Sequence, residues 1–356
     1  MTIRELELTN FRSYVTAKFE LHPAVTLVVG PNASGKTNLL ESLYVLASTR
    51  SFRAKDRDLI RHGEDYMRIV ATSDVEYALG AAHGNVGIEK RITHDGVKRT
   101  QVAHVGHIQV TLFEPTDLLL VSGAPEGRRK YLDFILCQTD RGYLKTLQLY
   151  RRVLKHRNAL LDGFEVSGGR DQIFTWDIQL AELALEIYQQ RTRLLDNLNS
   201  ALPHLYADIA GAAEQLELTY QPSVNGDAYG DAFLETLARN LPRDLAAGFT
   251  TIGPHREDFT ISFKNSPVEA VASRGEVRTL VLSLKLAELD YAEKQTKLRP
   301  LLLLDDVFSE LDRDRRGYLI ERLRDHQTVI TTTDADAVTR EIGAGHKIIH
   351  TELNRV

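Results

Sequence analysis

Gly30 to Thr37 reads GPNASGKT, with the spacing G-x-x-x-x-G-K-[ST]. An apolar run, AVTLVVG (residues 24–30), precedes it, and TNLLESLYVLA follows with Leu39, Leu40, Leu43 and Val45 at helical intervals. A strand, a glycine-bearing turn and a helix in that order form a phosphate cradle. Gly30 and Gly35 permit backbone angles and close approaches that a Cβ would block. The backbone from Gly30 through Asn32, Ser34 and Gly35 to Asn38 is expected to turn its N–H groups inward as an anion nest, helped by the positive end of the helix. Lys36 then reaches the outer phosphates and Thr37 places its hydroxyl on Mg²⁺, so the chemistry is binding of ATP with Mg²⁺.

A second stretch, RPLLLLDDVFSELD, carries Leu301–Leu304 straight into Asp305 and Asp306. The leucines predict a strand buried on both faces, as in a parallel sheet covered by helices. Paired acids at the end of such a strand need a cation, a polar ligand or a reaction. Beside a nucleotide, Asp305 is expected to hold the Mg²⁺ water shell, and Asp306 stands where a water-activating carboxylate belongs. The alternative is a pair of helix N-cap acids. Between the two motifs lies most of the chain, far more than in a small P-loop kinase or switch GTPase. Before the acid strand, SRGEVRTLVLSLKLAELDYAEK opens an amphipathic helix at Ser273 and Gly275, a further anion site at a helix N-terminus. It cannot easily serve the same phosphates as Gly30–Thr37 if both flank neighbouring strands. A second subunit resolves that conflict, so an ATP-dependent homodimer is expected.

The elements that must carry these residues can be traced along the chain. IRELEL reads as a strand and AVTLVVG as a buried one. Residues 66–112, ending in HIQVTLF, look strand-rich and antiparallel, with HDG as a hairpin turn. GAPEGRRKYLDFIL opens a helical stretch predicted to run through residue 161. EVSGGRD breaks it at 165–171, a second helix carries Leu180, Leu183, Ile187, Leu194 and Leu198, and residues 221–231 read as a loop. From 249 short strands return, followed by a helix over 273–294, the leucine strand and a last strand, TVITTT. The expected domains are 1–112 with 249–356, and a mainly helical lobe over 113–248.

Of 356 residues, 43% are hydrophobic and 26% charged, ordinary for a globular protein. The single cysteine, Cys137, rules out an internal disulfide framework and suits a reducing cytosol. MTIRELELTNF has no signal-peptide core, and no apolar run reaches the roughly 18 residues of a membrane span. A cytoplasmic location without membrane partners is expected. The net charge of −5 excludes a polycation, so a nucleic-acid partner requires a local basic face. Basic residues cluster at Arg50, Arg53, Lys55, Arg57 and Arg61; at Lys90, Arg91, Lys98 and Arg99; at Arg128, Arg129 and Lys130; and at Arg151, Arg152, Lys155 and Arg157. Aromatics do not interleave with them, which favours phosphate contacts on duplex DNA over base stacking. Lys55, Arg57 and Arg61 are the DNA-binding candidates. His104 and His107, with no thiolate near them in sequence, make a poor zinc site.

GPNASGKTNLLE, SRGEVRTL and LLLLDDVFSELD, in that order, resemble the ABC-type ATPase heads of SMC-like DNA repair proteins, and among them the RecF family. LELTNFRSY, STRSFR, PTDLLLVSGAPEGRRKYLD and GPHREDF extend the resemblance over most of the chain. It implies an α/β ATPase head with a mixed sheet core, an antiparallel β subdomain and an inserted α-helical lobe. It implies that Ser273 and Gly275 contact the γ-phosphate held by the other monomer and that Asp312 is the acid at the dimer seam. Gln109 becomes the candidate for the glutamine near Mg²⁺, and Arg12 and Tyr14 approach the nucleotide. The implied function is a recombination mediator on double-stranded and gapped DNA, a weak DNA-stimulated ATPase that acts with RecR and RecO and, through them, RecA.

Three departures qualify that picture. Asp306 replaces the usual catalytic glutamate and is one carbon shorter, which predicts slow hydrolysis. TVITTTD ends without the switch histidine, leaving Asp334 or a neighbouring threonine in its place, and the signature lacks its usual glutamine near Glu276 and Val277. Two alternatives stay open: an ABC transporter ATPase subunit, disfavoured by the missing histidine and glutamate, and a DNA clamp gated by ATP that never hydrolyses it. A small-molecule P-loop kinase fits the motif spacing less well. In GPHREDF, His255 and Arg256 read either as functional residues or as a strand-end ion pair.

Overall fold

The computed structural model describes residues 1–85, 87–162, 170–224, 228–309, 311–343 and 345–352. The chain forms two compact units, Met1–Asp117 with Arg278–Val356, and Leu118–Val277.

The first unit begins with β1 (Glu5–Phe11) and β2 (Tyr14–Glu20), an antiparallel pair in which Leu6 and Leu8 are buried while Glu5 and Glu7 face outward. Then come β3 (Val25–Val29), the P-loop helix (Lys36–Ser48), β4 (Tyr66–Thr72), β5 (Glu76–Gly84), β6 (Gly87–His94), β7 (Val97–Arg99) and β8 (Val110–Phe113). Six of these strands form an antiparallel sheet in the order β2-β1-β4-β5-β6-β7. HDG is a hairpin turn as expected: Asp95 and Gly96 both take positive φ between the paired residues His94 and Val97. β8 corrects the reading of HIQVTLF. It leaves the antiparallel group and lies parallel to the leucine strand.

The second unit contains helices at Pro125–Thr139, Arg141–Asp162, Arg170–Ala210 and Tyr229–Ala247. The helical stretch expected through residue 161 is present as two helices, because Asp140 is extended and its carboxylate accepts the Gly142 N–H at 2.7 Å. The break expected at 165–171 and the loop at 221–231 fall partly on residues outside the described ones. β9 (Leu216–Gln221), β10 (Asp258–Phe263) and β11 (Ser266–Pro267) make a small antiparallel sheet. That sheet moves the expected domain boundary. Residues 249–277 fold with the helical unit because β10 pairs along its whole length with β9.

Polar side chains run through the core of this unit. Arg157 is fully buried and donates to Asp177 (2.6 Å), Asp244 (2.7 Å) and Thr250 (2.8 Å). Arg191 donates to Asp133 and to the Pro254 carbonyl, and Glu257 accepts from Tyr220, Tyr229 and the Ser223 N–H. Buried charges persist only when paired in this way.

After the helix Arg274–Thr296 the chain adds β12 (Leu301–Asp305), β13 (Thr328–Thr332) and β14 (His346–His350). The result is a parallel five-stranded sheet ordered β14-β3-β13-β12-β8. Leu302, Leu303 and Leu304 have no exposed surface, as a central strand covered on both faces requires. TVITTT is not the last strand. HKIIH is a half-exposed edge strand, and it lacks the apolar run that marked the others.

Candidate nucleotide site

The parallel register brings the ends of three strands together. Asp305 pairs with Thr331 and Thr332 with Val29, so the acid of β12, the threonines of β13 and the loop after β3 share one edge of the sheet. The loop curls through Ala33 (φ 66°) and Gly35 (φ 100°) before the helix starts at Lys36. Asn32 is exposed at its tip, whereas Ser34, Gly35 and Lys36 are buried. The Lys36 ammonium donates to the carbonyls of Gly30 (2.8 Å) and Pro31 (3.0 Å). Tyr14 donates its hydroxyl to the Gly35 carbonyl at 3.1 Å, and burial pushes its phenol up to about 12.

Thr37 Oγ1 donates to Asp305 Oδ1 at 3.0 Å, and Thr331 Oγ1 donates to the same oxygen at 2.7 Å. Thr331 also accepts the Asp306 N–H at 3.0 Å, fixing a residue whose φ is 56°. Two of the three expected metal-binding side chains therefore meet, which neither a helix-cap role for Asp305 nor a surface role for Thr37 requires. Thr37 and Asp305 are the oxygen ligands a hard cation would take, so the residues fit Mg²⁺ beside a phosphate.

Gln109 does not belong here. Its carbonyl accepts the Leu301 N–H, level with the start of β12, whereas Asp305 is at the other end. Four residues of strand, roughly 13 Å, separate Gln109 from that edge. The residue after β8, Glu114, is the one level with Asp305. Burial, then the charges of Asp117 and Asp305, push its carboxyl up to about 7.

Arg12 approaches the loop helix and is held by it. The buried Glu41 accepts from Arg12 Nε (2.8 Å) and Nη2 (2.6 Å), from Arg53 (2.9 Å) and from Ser51. Burial disfavours the Glu41 charge, yet these donors outweigh it and hold the carboxyl below its ordinary value. Asn38 bridges the same groups, donating to Ser13 and accepting from Arg53. Arg12, Ser13, Asn38, Arg53, Arg57 and Arg61 line part of a cavity of about 810 Å³, a size suited to a nucleoside. Glu41 was not foreseen, and Thr331 only as one of the threonines near Asp334. The legible signal for Glu41 was a carboxylate inside the apolar stretch LLESL, and for Thr331 a hydroxyl residue within a buried strand.

Ser273 and Gly275 open a helix at an exposed position of the second unit, where Ser273 and Glu276 exchange hydrogen bonds as a capping box. Lys264 and that box hold Glu276 down at about 2. Asp312 caps the helix Arg313–Leu323 by accepting the Arg315 N–H, its side chain half exposed. Asp334 donates its N–H to Thr332.

The basic clusters divide sharply. Lys55 and Arg57 are exposed, and Arg61 donates to the Ser13 carbonyl. Arg128 clamps Asp258 with both ends of its guanidinium (2.9 and 2.6 Å), a structural role. Arg157 cannot meet DNA at all, because it is buried in its own unit. In GPHREDF, His255 bridges Tyr150 and the Thr250 carbonyl, and burial lowers its ring to about 4, while Arg256 is exposed.

Residues 2–352 match the family model of the RecF/RecN/SMC N-terminal domain. The chain belongs to the RecF family. It is 39% identical to the DNA replication and repair protein RecF of Synechococcus sp. (strain JA-3-3Ab) over 94% of this chain and 91% of that one. It is 34% identical to the RecF of Agathobacter rectalis over 100% and 99%. Among solved structures, the recombination mediator protein RecF with ATP, of the RecFOR pathway, superposes with a TM-score of 0.87 at 32% identity, covering 94% of this chain and 92% of that one. The α/β head, the antiparallel sheet and the helical unit are thus those of the RecF family. No helix among the described residues is long and apolar enough to cross a membrane.

Proposed function

We propose that this chain is a DNA-binding recombination mediator of DNA replication and repair that uses ATP as a switch. The observation that carries the reading is the Thr37–Asp305–Thr331 chain of hydrogen bonds beside the GPNASGKT loop. The loop and Lys36 bind the phosphates of ATP. A bound Mg²⁺ ion would neutralise phosphate charge and would be held by Thr37 and Asp305. Thr331 orients Asp305 and, through the Asp306 N–H, sets where the Asp306 carboxylate begins. Asp306 acts as the base toward water, and its short side chain keeps hydrolysis slow.

The switch is dimerisation. Lys36 of one subunit and Ser273, Gly275 and Asp312 of a second copy sandwich the nucleotide, and hydrolysis removes that bridge. A ligand that binds only the closed dimer stabilises it by about 2.7 kcal/mol at ~100-fold excess over Kd. Lys55, Arg57 and Arg61 contribute to a basic surface for double-stranded and gapped DNA, and DNA stimulates the weak ATPase. The RecFOR pathway of the solved relative supports RecR and RecO as partners, with RecA loading downstream.

Solution mass with and without ATP and Mg²⁺ tests the switch. A dimer formed only with ATP, and lost in Lys36→Met and Ser273→Arg, is expected. A monomer under all conditions, DNA included, would remove the composite site.

A further inference from the structure

The chain returns to the phosphate loop close to its end. β14 runs parallel to β3 with His350 opposite Val29, and Thr351 follows directly. Thr351 donates its N–H to the Val29 carbonyl at 2.8 Å. Its hydroxyl lies 3.3 Å from the same carbonyl and 2.6 Å from Ser34 Oγ. With Thr351 donating to Val29, Ser34 donates to Thr351. Both hydroxyls are buried, at 7% and 6% residue exposure, so water does not substitute for either partner.

Gly30 bears the mark of this contact. A Cβ there would come within 2.4 Å of both the carbonyl and the hydroxyl oxygen of Thr351, and 2.6 Å from Ser34 Oγ. The first glycine of the motif is therefore required by the protein's own C-terminal segment, whatever ligand the loop receives. The loop is tied at two points. Lys36 gathers the carbonyls of Gly30 and Pro31, and Thr351 fastens Val29 to Ser34 across the curl.

We propose that Thr351 is a positioning residue for the nucleotide: its clasp on Val29 and Ser34 holds the loop in its anion-binding curl, making β14 part of the site. An anion nest works only when successive N–H groups already converge. A loop that must be ordered by its ligand binds more weakly by the cost of that ordering. Loss of one buried hydrogen bond weakens ATP binding about five- to tenfold. The proposal rests on the reading that GPNASGKT seats ATP, and the test separates the two.

The full chain is compared as wild type, Thr351→Val, Thr351→Ser, Ser34→Ala and the Ser34→Ala/Thr351→Val double variant. Hydrogen exchange of the amides from Gly30 to Lys36, without nucleotide, reports the clasp alone. Titration with ATP and Mg²⁺ reports its consequence. Expected are faster loop exchange and about five- to tenfold weaker ATP binding in Thr351→Val, near wild-type behaviour in Thr351→Ser, and a double variant no weaker than the single ones. Ser34→Ala removes the same bond from the other side and carries the test if Thr351→Val misfolds. Unchanged exchange and unchanged affinity in both Thr351→Val and Ser34→Ala overturn the clasp. Faster exchange in a protein whose wild type binds no ATP overturns the ATP reading and leaves the clasp on the loop intact.

Discussion

Glu41→Gln changes one atom of a buried carboxylate that receives two guanidinium groups and a hydroxyl. The glutamine keeps one acceptor oxygen, but its NH₂ then faces N–H groups of Arg12 or Arg53, donor against donor. Arg12 dominates the cost, since its side chain is 19% exposed and makes two charge-assisted bonds. Arg53 is 38% exposed, so water replaces much of its lost contact and its share is small. Breaking a largely buried pair costs about 3 kcal/mol, at the lower end for such pairs. A loss of that size lowers the melting temperature of a unit this large by roughly 6–12 °C. Calorimetry and urea unfolding at pH 7 measure it. The sign of the pH effect provides a second check. The folded carboxyl sits below its ordinary value of 4.5, so its contribution is complete above that value and disappears as pH falls through the folded one. The gap between wild type and Glu41→Gln should therefore narrow on acidification below about pH 5. A variant within about 0.5 kcal/mol of wild type at pH 7, or a gap that widens in acid, refutes the hub.

Two further outcomes follow from buried charge. In the core His104 donates its Nε2–H to the Leu46 carbonyl and accepts at Nδ1 from His94 Nε2, and burial lowers its ring to about 4. The unfolded chain then binds more protons between pH 6.5 and 4, so stability falls by up to about 3 kcal/mol over that window; a His104→Gln variant should lose this slope in urea titrations across pH. Arg157→Leu strands Asp177 and Asp244 without their cation and should cost about 3–5 kcal/mol in unfolding of the second unit. A near-neutral result would show that the two acids take up protons instead.

Several features were legible because they are local. GPNASGKT needs only a strand before it and a helix after it, and the backbone angles at Ala33 and Gly35 are properties of the loop itself. Four leucines ending in two acids specify a covered strand with a polar end, and HDG specifies a turn that its own two residues can adopt. What escaped the sequence depends on which strand a segment chooses as its neighbour. Gln109 and Glu114 flank the same short strand, and only the register with β12 decides which end meets Asp305. Arg157 lies in a basic run on a predicted helix, yet its partners come from residues 177, 244 and 250, far along the chain. Residues 249–277 changed units because β10 pairs with β9. Thr351 reaches Ser34 only because an unremarkable edge strand lies beside β3. Local spacing determined the chemistry this protein carries, since backbone angles and side-chain types are set residue by residue. Tertiary structure decided which groups share that chemistry, since pairing between distant segments is set by burial and register that no single segment contains.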